Sequence, residues 1–352
     1  MLQEIRFVHF RNFSSGELKF SGSDVVLFGR NGCGKSNLLE AVNHLSILRS
    51  FRGAKIREEI QIGENAFFLS AKLKKNGKTK TLSVKESVDG RRELFVDDSR
   101  RRKSSEFIGE FQTVPFVPED RMIVGGHSGF RRKFFDVLLS ALDVRYFFAL
   151  VCYNRALDQR NRALKENAPE VAAAFEEELA ARGMEIGRFR EKYNEKIVER
   201  MNFFFAGKYR FDGRYLRAFP ENEEEYRKKL RETRARDVLK KYTSCGVQLD
   251  DFEWKLDGKL LRGYGSSGQQ RLCALLLRLA HFDLLRKENA SVPLVALIDD
   301  VTGELDEENF DRFLENISGA DQRIFTFAAV PDKAVFRRAQ QIPVEQIEDK
   351  TK

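Results

Sequence analysis

Residues 28–37, FGRNGCGKSN, set three glycines and a lysine between the apolar run Asp24-Val25-Val26-Leu27-Phe28 and the segment Leu38-Leu39-Glu40-Ala41-Val42. The first flank reads as a short strand and the second as the start of a helix. Gly29, Gly34, Lys35 and Ser36 fulfil G-x-x-x-x-G-K-[ST], and strand, glycine loop, helix is the context in which that pattern cradles phosphate. Chemistry explains the residue types. Backbone N–H groups turned inward around an anion need φ values that only glycine adopts cheaply, and the loop ends at a helix N-terminus that already favours negative charge. Lys35 is expected to reach the β- and γ-phosphates, and Ser36 to offer its hydroxyl to Mg²⁺, a hard cation that takes oxygen ligands. The candidate nucleotide-binding set is Gly29, Arg30, Asn31, Gly32, Cys33, Gly34, Lys35, Ser36 and Asn37.

Two later stretches complete a nucleotidase. Gly265-Ser266-Ser267-Gly268-Gln269-Gln270-Arg271 heads the apolar helix pattern LCALLLRLAHFDLL, and Pro293-Leu294-Val295-Ala296-Leu297-Ile298-Asp299-Asp300 is a buried-strand pattern ending in two adjacent carboxylates. Gly303-Glu304-Leu305-Asp306 follows. An apolar strand ending in Asp beside a phosphate loop is the Walker B arrangement. Asp299 would hold Mg²⁺ through water, and Asp300 would accept a proton from the attacking water, making Asp300 and Lys35 the candidate catalytic residues. Phosphate loop, S-x-G-Q at a helix start, Walker B and ELD, in that order, describe an ATP-binding cassette head. Ser266, Gly268 and Gln269 join the candidate ATP site on that reading, with Ser36 and Asp299 as metal ligands.

At 352 residues, with 42 % hydrophobic content and 31 phenylalanines, the chain is long enough for two domains and an ample core. A net charge of +8 is compatible with a polyanionic partner without demanding one. Cys33, Cys152, Cys245 and Cys273 form no C-x-x-C pair, so neither a zinc site nor a disulfide framework is indicated. The start MLQEIRFVHF alternates like a strand, and no apolar run approaches the about 20 residues that span a bilayer. A cytoplasmic protein with no membrane partner is expected.

Strands are predicted at 2–10, 17–20 and 24–28, and a helix over 36–48. Three β-like runs (66–73, 79–86, 93–97) separated by Asn76-Gly77 and Asp89-Gly90 predict a small antiparallel region. From Phe130 to Ala206 the pattern becomes helical, with two long helices and a connection, and 222–241 reads as a charged helix. The fold expected is α/β: an ATP-binding cassette domain from 1–120 and 245–352, and a helical lobe over 121–244. The basic cluster Arg100-Arg101-Arg102-Lys103, with Lys74 and Lys75, is the candidate DNA surface, because non-specific duplex binding comes mainly from phosphate neutralisation.

These motifs, with Arg11-Asn12-Phe13, Ser50-Phe51-Arg52, VPEDRMIVGGHSGFRRKFFD (117–136), Tyr153-Asn154-Arg155-Ala156-Leu157 and Gln159-Arg160-Asn161, resemble the RecF family of DNA gap-repair ATPases, short relatives of the SMC proteins. The resemblance covers nearly the whole chain. It implies an SMC-like head, a slow DNA-dependent ATPase that dimerises with ATP on duplex DNA near single-strand/double-strand junctions, and work with RecR and RecO in loading recombinase. It also implies a composite site in which Ser266, Gly268 and Gln269 of one copy complete the phosphate loop of another. A non-catalytic ATP-gated clamp or scaffold is the alternative. Departures stand out: Gln248-Leu249 replace His-Arg of the family's G-P-H-R-D-D, Ser267 and Gly303 replace its common Gln and Ser, and neither a switch histidine near Arg323–Phe327 nor a Q-loop glutamine near Pro118 is evident. They point toward slow hydrolysis.

Overall fold

The structure, a computed structural model, describes residues 1–75, 77–300 and 307–347. Asn76 and the Gly303-Glu304-Leu305-Asp306 segment lie outside the described residues. In chain order come β1 (Leu2–Phe10), β2 (Phe13–Lys19), β3 (Asp24–Phe28), α1 (Lys35–Ile47), α2 (Ile56–Glu59), β4 (Ala66–Lys75), β5 (Lys78–Ser87), β6 (Arg92–Val96), β7 (Ser99–Arg101) and β8 (Gln112–Phe116). There follow α3 (Arg121–Gly125), α4 (Ser128–Leu142), α5 (Val144–Lys165), α6 (Pro169–Ala173), α7 (Glu176–Phe205), β9 (Phe211–Leu216), α8 (Glu223–Lys240), β10 (Asp251–Leu256), β11 (Lys259–Leu260), α9 (Leu261–Tyr264) and α10 (Ser267–Glu288). The chain continues through β12 (Leu294–Asp299), α11 (Glu307–Asn316), β13 (Gln322–Phe327), α12 (Ala334–Arg337) and β14 (Gln340–Pro343).

Contacts divide the chain into two units, Met1–Glu119 with Phe282–Lys352, and Asp120–His281. The division read from the sequence differs at its second boundary, for a plain reason. β10 pairs antiparallel with β9 over six residues, from Asp251↔Leu216 to Leu256↔Phe211, so 245–281 belongs with the helical unit.

The first unit holds two sheets. One is antiparallel, in the order β2-β1-β4-β5-β6-β7; the other is parallel, in the order β14-β3-β13-β12-β8. Helix α1 packs on β8 and β12 of the parallel sheet and on β4 and β1 of the antiparallel one. With a sheet on either side it has no broad solvent face: ten of its thirteen residues are buried. Its apolar positions Leu38, Leu39, Val42 and Leu45 join the core with Phe7, Phe13, Val25, Leu69 and Leu297.

The second unit is built around α5 and α7. The expected pattern along α7 is realised, with Leu179, Ile186, Tyr193, Ile197 and Met201 all buried. The stretch before it differs from the sequence reading: α4 and α5 are separate helices. Asp143 breaks them, with extended backbone and a side chain that accepts the Arg145 N–H as an N-cap. Buried arginines, which an apolar pattern does not anticipate, cross-link the unit. Arg160 donates to Asp237 at 2.9 Å and Thr243 at 2.8 Å, and Arg190 to Asp250 at 2.7 Å and Asp136 at 2.9 Å. Gln248, standing where the family has an imidazole, is absorbed into this interior: its amide donates to the carbonyls of Thr243 and Cys245 and it accepts from Tyr153.

A helix buried all round must pair every polar side chain it carries. On α1, Asn43 donates to Arg49 O and accepts from Thr113, Ser46 donates to Phe111 O, and His44 bridges Glu59 and Glu86 at 3.0 and 3.1 Å. Burial opposes charge on His44, yet the hydrogen bonds and negative charges of Glu59 and Glu86 outweigh it and push its pKa up to about 9. Arg92 in turn donates to Glu86. Since the folded value lies above the unfolded one, the protonated ring stabilises the fold fully below about pH 6.5, and that contribution, about 3 kcal/mol, is lost as pH rises through about 9. Urea unfolding should therefore show stability falling between pH 7 and pH 10 in the wild type, with a shallower fall in His44→Ala; equal slopes would show that the ring is neutral throughout.

Candidate nucleotide site

The parallel sheet aims three strand ends at one place. β3 runs into the glycine loop, β12 ends at Asp299, and β13 stands between them. Ligands of open α/β sheets gather at such carboxyl ends. Gly29, Gly32 and Gly34 all have positive φ, 154°, 84° and 103°. Gly34 is fixed twice over, because a Cβ there would also lie 2.5 Å from the Phe13 ring. The N-cap of α1 is Gly34, which has no side chain to spend on the first amides, so the positive end of the helix suits an anion. Lys35 begins the helix, nearly buried, and its ammonium donates to the carbonyls of Gly29 at 2.7 Å and Arg30 at 2.9 Å.

Ser36 Oγ donates to Asp299 Oδ1 at 2.8 Å, and Thr326 Oγ1 donates to the same oxygen at 2.7 Å. A Ser36 hydroxyl that gives its proton to Asp299 keeps lone pairs for a hard cation, and the Asp299 carboxylate beside it would hold a water of that cation's shell, so the donor set fits Mg²⁺. Asp300 follows in left-handed backbone, φ 49°, with its N–H donating to Thr326 Oγ1 at 3.2 Å. Its side chain is exposed at the strand end.

Several residues here have roles the sequence does not reveal. Arg11 forks onto Glu40 at 2.8 and 2.7 Å, Ser50 donates to the same buried carboxylate, and Arg52 lies 3.7 Å from it. Arg52 also donates to Asn37 at 2.9 Å and stands 3.9 Å from Asp299, a second cation beside the pair Ser36 and Asp299. Asn12 accepts from Asn37. The motifs Arg11-Asn12-Phe13 and Ser50-Phe51-Arg52 are visible in the sequence, but nothing there says that both converge on the phosphate-loop helix. Thr326 is signalled only as a polar residue in an apolar strand.

The S-x-G-Q segment lies in the helical unit and forms a reciprocal cap. Gln269 N–H donates to Ser266 Oγ at 3.2 Å, while Ser266 N–H donates to Gln269 Oε1 at 2.9 Å. The cap uses a lone pair of the Ser266 oxygen and not its O–H. Gln269 thus holds Ser266 in place. A Cβ on Gly268 would meet nothing closer than Ser266 Oγ at 4.0 Å.

The basic residues spread along the antiparallel sheet. Arg100 and Arg101 sit on the edge strand β7, Arg100 exposed and 3.3 Å from Glu93, while the Arg102 N–H donates to Glu106 and Lys103 precedes the turn that follows. Lys74 and Lys75 end β4, three strand positions away, about 14 Å across the sheet, and they are also displaced along it, since Lys75 is level with Lys78 of β5 and Arg100, through Phe95, with Ser83. Both groups border hairpin turns at the same end of the sheet, since Val96 pairs with Ser99 and Leu82, and Lys75 with Lys78.

Residues 1–350 match the family model for the RecF/RecN/SMC N terminal domain. The "DNA replication and repair protein RecF" of Clostridium acetobutylicum is 32 % identical over 334 residues, covering 92 % of each chain, and that of Clostridium tetani is 32 % identical over 327 residues, covering 89 % of each. Two solved structures are alike throughout, each with a TM-score of 0.86. One is the recombination mediator protein RecF with ATPrS, 30 % identical and covering 99 % of this chain and 97 % of that one; the other is RecF with ATP, 32 % identical and covering 94 % of each. With the phosphate loop, the Walker B carboxylate and the capped S-x-G-Q helix all in place, the chain belongs to the RecF family of SMC-like ATP-binding cassette ATPases.

Proposed function

We propose that the chain is an ATP-dependent DNA-binding protein of replication and gap repair, whose two copies close on ATP and reopen on slow hydrolysis. The observation that carries this reading is the pairing of Ser36 with Asp299 at 2.8 Å at the mouth of the glycine loop. There Lys35 and the N-terminus of α1 would bind the β- and γ-phosphates. Mg²⁺, held by Ser36 and Asp299, would neutralise charge on the same oxygens. Thr326 orients the Asp299 carboxylate, and Asp300 stands one residue beyond to accept a proton from water.

One loop leaves the γ-phosphate open on one side. The Ser266 hydroxyl and the N-terminus of α10 are suited to close that side from a second copy, with Gly268 giving close approach. Two-fold pairing then forms two composite sites, each with Lys35, Ser36, Asp299 and Asp300 from one chain and Ser266, Gly268 and Gln269 from the other. By family resemblance the DNA partner is duplex near single-strand junctions, and RecR and RecO are the protein partners. The RecFOR pathway named for the solved relatives supports this.

Asp300→Asn should bind ATP as wild type does while single-turnover phosphate release falls about 100-fold or more, since an amide cannot take the water's proton. Unchanged release would favour the non-catalytic clamp. Ser266→Arg and Lys35→Ala should each fail to dimerise with ATP, yet their mixture should partly recover dimers in sedimentation, because both lesions fall in one shared site and leave the other intact. Wild-type protein that stays monomeric with saturating ATP and Mg²⁺, with or without DNA, would overturn the composite site. Neutralising Arg100, Arg101, Arg102 and Lys103 together should weaken duplex binding for every sequence and reduce the slope of log K against log salt by about 0.9 for each phosphate that the protein no longer neutralises; an unaltered slope would move the DNA surface elsewhere.

A further inference from the structure

The parallel sheet brings one carboxylate to the phosphate loop that the site as described does not use. β14 pairs in parallel with β3, setting Pro343 opposite Phe28, so the residues after β14 run beside the loop that follows β3. Val344 and Ile347 are buried, 1 % and 9 % exposed, and fix this segment on both sides of Glu345. Glu345 Oε1 accepts the Arg30 N–H at 2.9 Å, and a Cβ added to Gly29 would lie 3.4 Å from its carboxyl group.

The bond falls on a particular peptide group. The peptide joining Gly29 to Arg30 gives its N–H to Glu345 and its carbonyl to the Lys35 ammonium at 2.7 Å. A carboxylate drawing on the N–H end polarises the peptide and makes its carbonyl a better acceptor for the ammonium. Carboxylate, peptide and ammonium thus form one chain, and it holds Lys35 against the loop carbonyls. The same carboxylate places a full negative charge on a loop whose ligand is itself strongly negative.

We propose that Glu345 is a positioning residue that sets the threshold for nucleotide, and the proposal rests on the phosphate-loop reading above. It opposes binding in two ways: it stabilises Lys35 away from the phosphates, and it repels them directly. Repulsion grows with ligand charge, so ATP is discriminated against more than ADP, and salt weakens the effect. Glu345 would thus make tight ATP binding depend on the added contacts that a second copy supplies.

E345Q separates charge from shape, because the amide oxygen still accepts the Arg30 N–H. Kd values for ATP and ADP with Mg²⁺ would be measured by calorimetry on the full chain, at about 50 mM and about 500 mM salt. The expected result is ATP binding about three- to tenfold tighter in E345Q at low salt, a smaller gain for ADP, and convergence with wild type at high salt. E345A should show the same preference for ATP over ADP, and thermal unfolding of each sample establishes that it is folded. An ATP Kd unchanged or weakened at low salt, or equal gains for both nucleotides, overturns the proposal. Wild-type protein that binds no ATP overturns the phosphate-loop reading itself, and this inference with it.

Discussion

Helix α1 lies between two sheets, and most of the first unit's organisation follows from that burial. A helix with one wet face can carry polar side chains at no cost; here Glu40, Asn43, His44 and Ser46 each need a partner inside the protein. Those partners come from far along the chain: Arg11, Ser50, Glu59, Glu86, Phe111 and Thr113. The helix that ends the glycine loop is therefore fixed laterally and in rotation by side chains from both sheets and their connections. A phosphate site needs this rigidity, because loop amides must point inward before the anion arrives.

The polar residues around the loop share partners to an unusual extent. One oxygen of Asp299 accepts from both Ser36 and Thr326, and the Glu40 carboxylate serves Arg11 and Ser50 with Arg52 nearby. Such networks lose more than one bond when a member is removed. They also set geometry across strands distant in sequence: Thr326 ties the end of β13 to the end of β12, where it bonds both the Asp299 carboxylate and the Asp300 N–H. In the helical unit, Arg160 and Arg190 bind carboxylates in the same manner, and the S-x-G-Q helix start completes its own cap.

How much of this is legible in the sequence depends on range. The glycine loop, the apolar strand ending in Asp299 and the hairpin turns are local signals, and each element lies within a few residues of its expected place. Helix α1 is legible as a helix but not as a buried one, since its pattern of Glu40, Asn43, His44 and Ser46 reads as an amphipathic polar face until both sheets are assembled. Gln269 reads in the sequence as part of the nucleotide site, and the structure adds that its side chain accepts the Ser266 N–H; the capping-box spacing S-x-x-Q is the available signal for that cap. The break at Asp143 is hidden because apolar spacing continues across it, and only the capping chemistry of Asp marks a stop. Thr326 and Glu345 owe their places beside the loop to strand order in the parallel sheet, and Arg52 to the return of the chain after α1 toward the start of that helix, which no single stretch encodes.

Gly268 makes a different kind of demand on the chain. Gly34 must be glycine because of its own φ and the Phe13 ring beside it, so its substitution harms the molecule that carries it. Gly268 has open space where a side chain would go and no left-handed backbone, so nothing among the described residues of its own chain requires it to be glycine. If its purpose lies on a second copy, a bulky replacement yields a protein that folds, accumulates and keeps its own phosphate loop. In a cell that also makes the unaltered chain, that protein would still enter mixed pairs and spoil one site in each. The genetic signature of such an allele is dominance, in contrast to the recessive loss expected of lesions that unfold the chain.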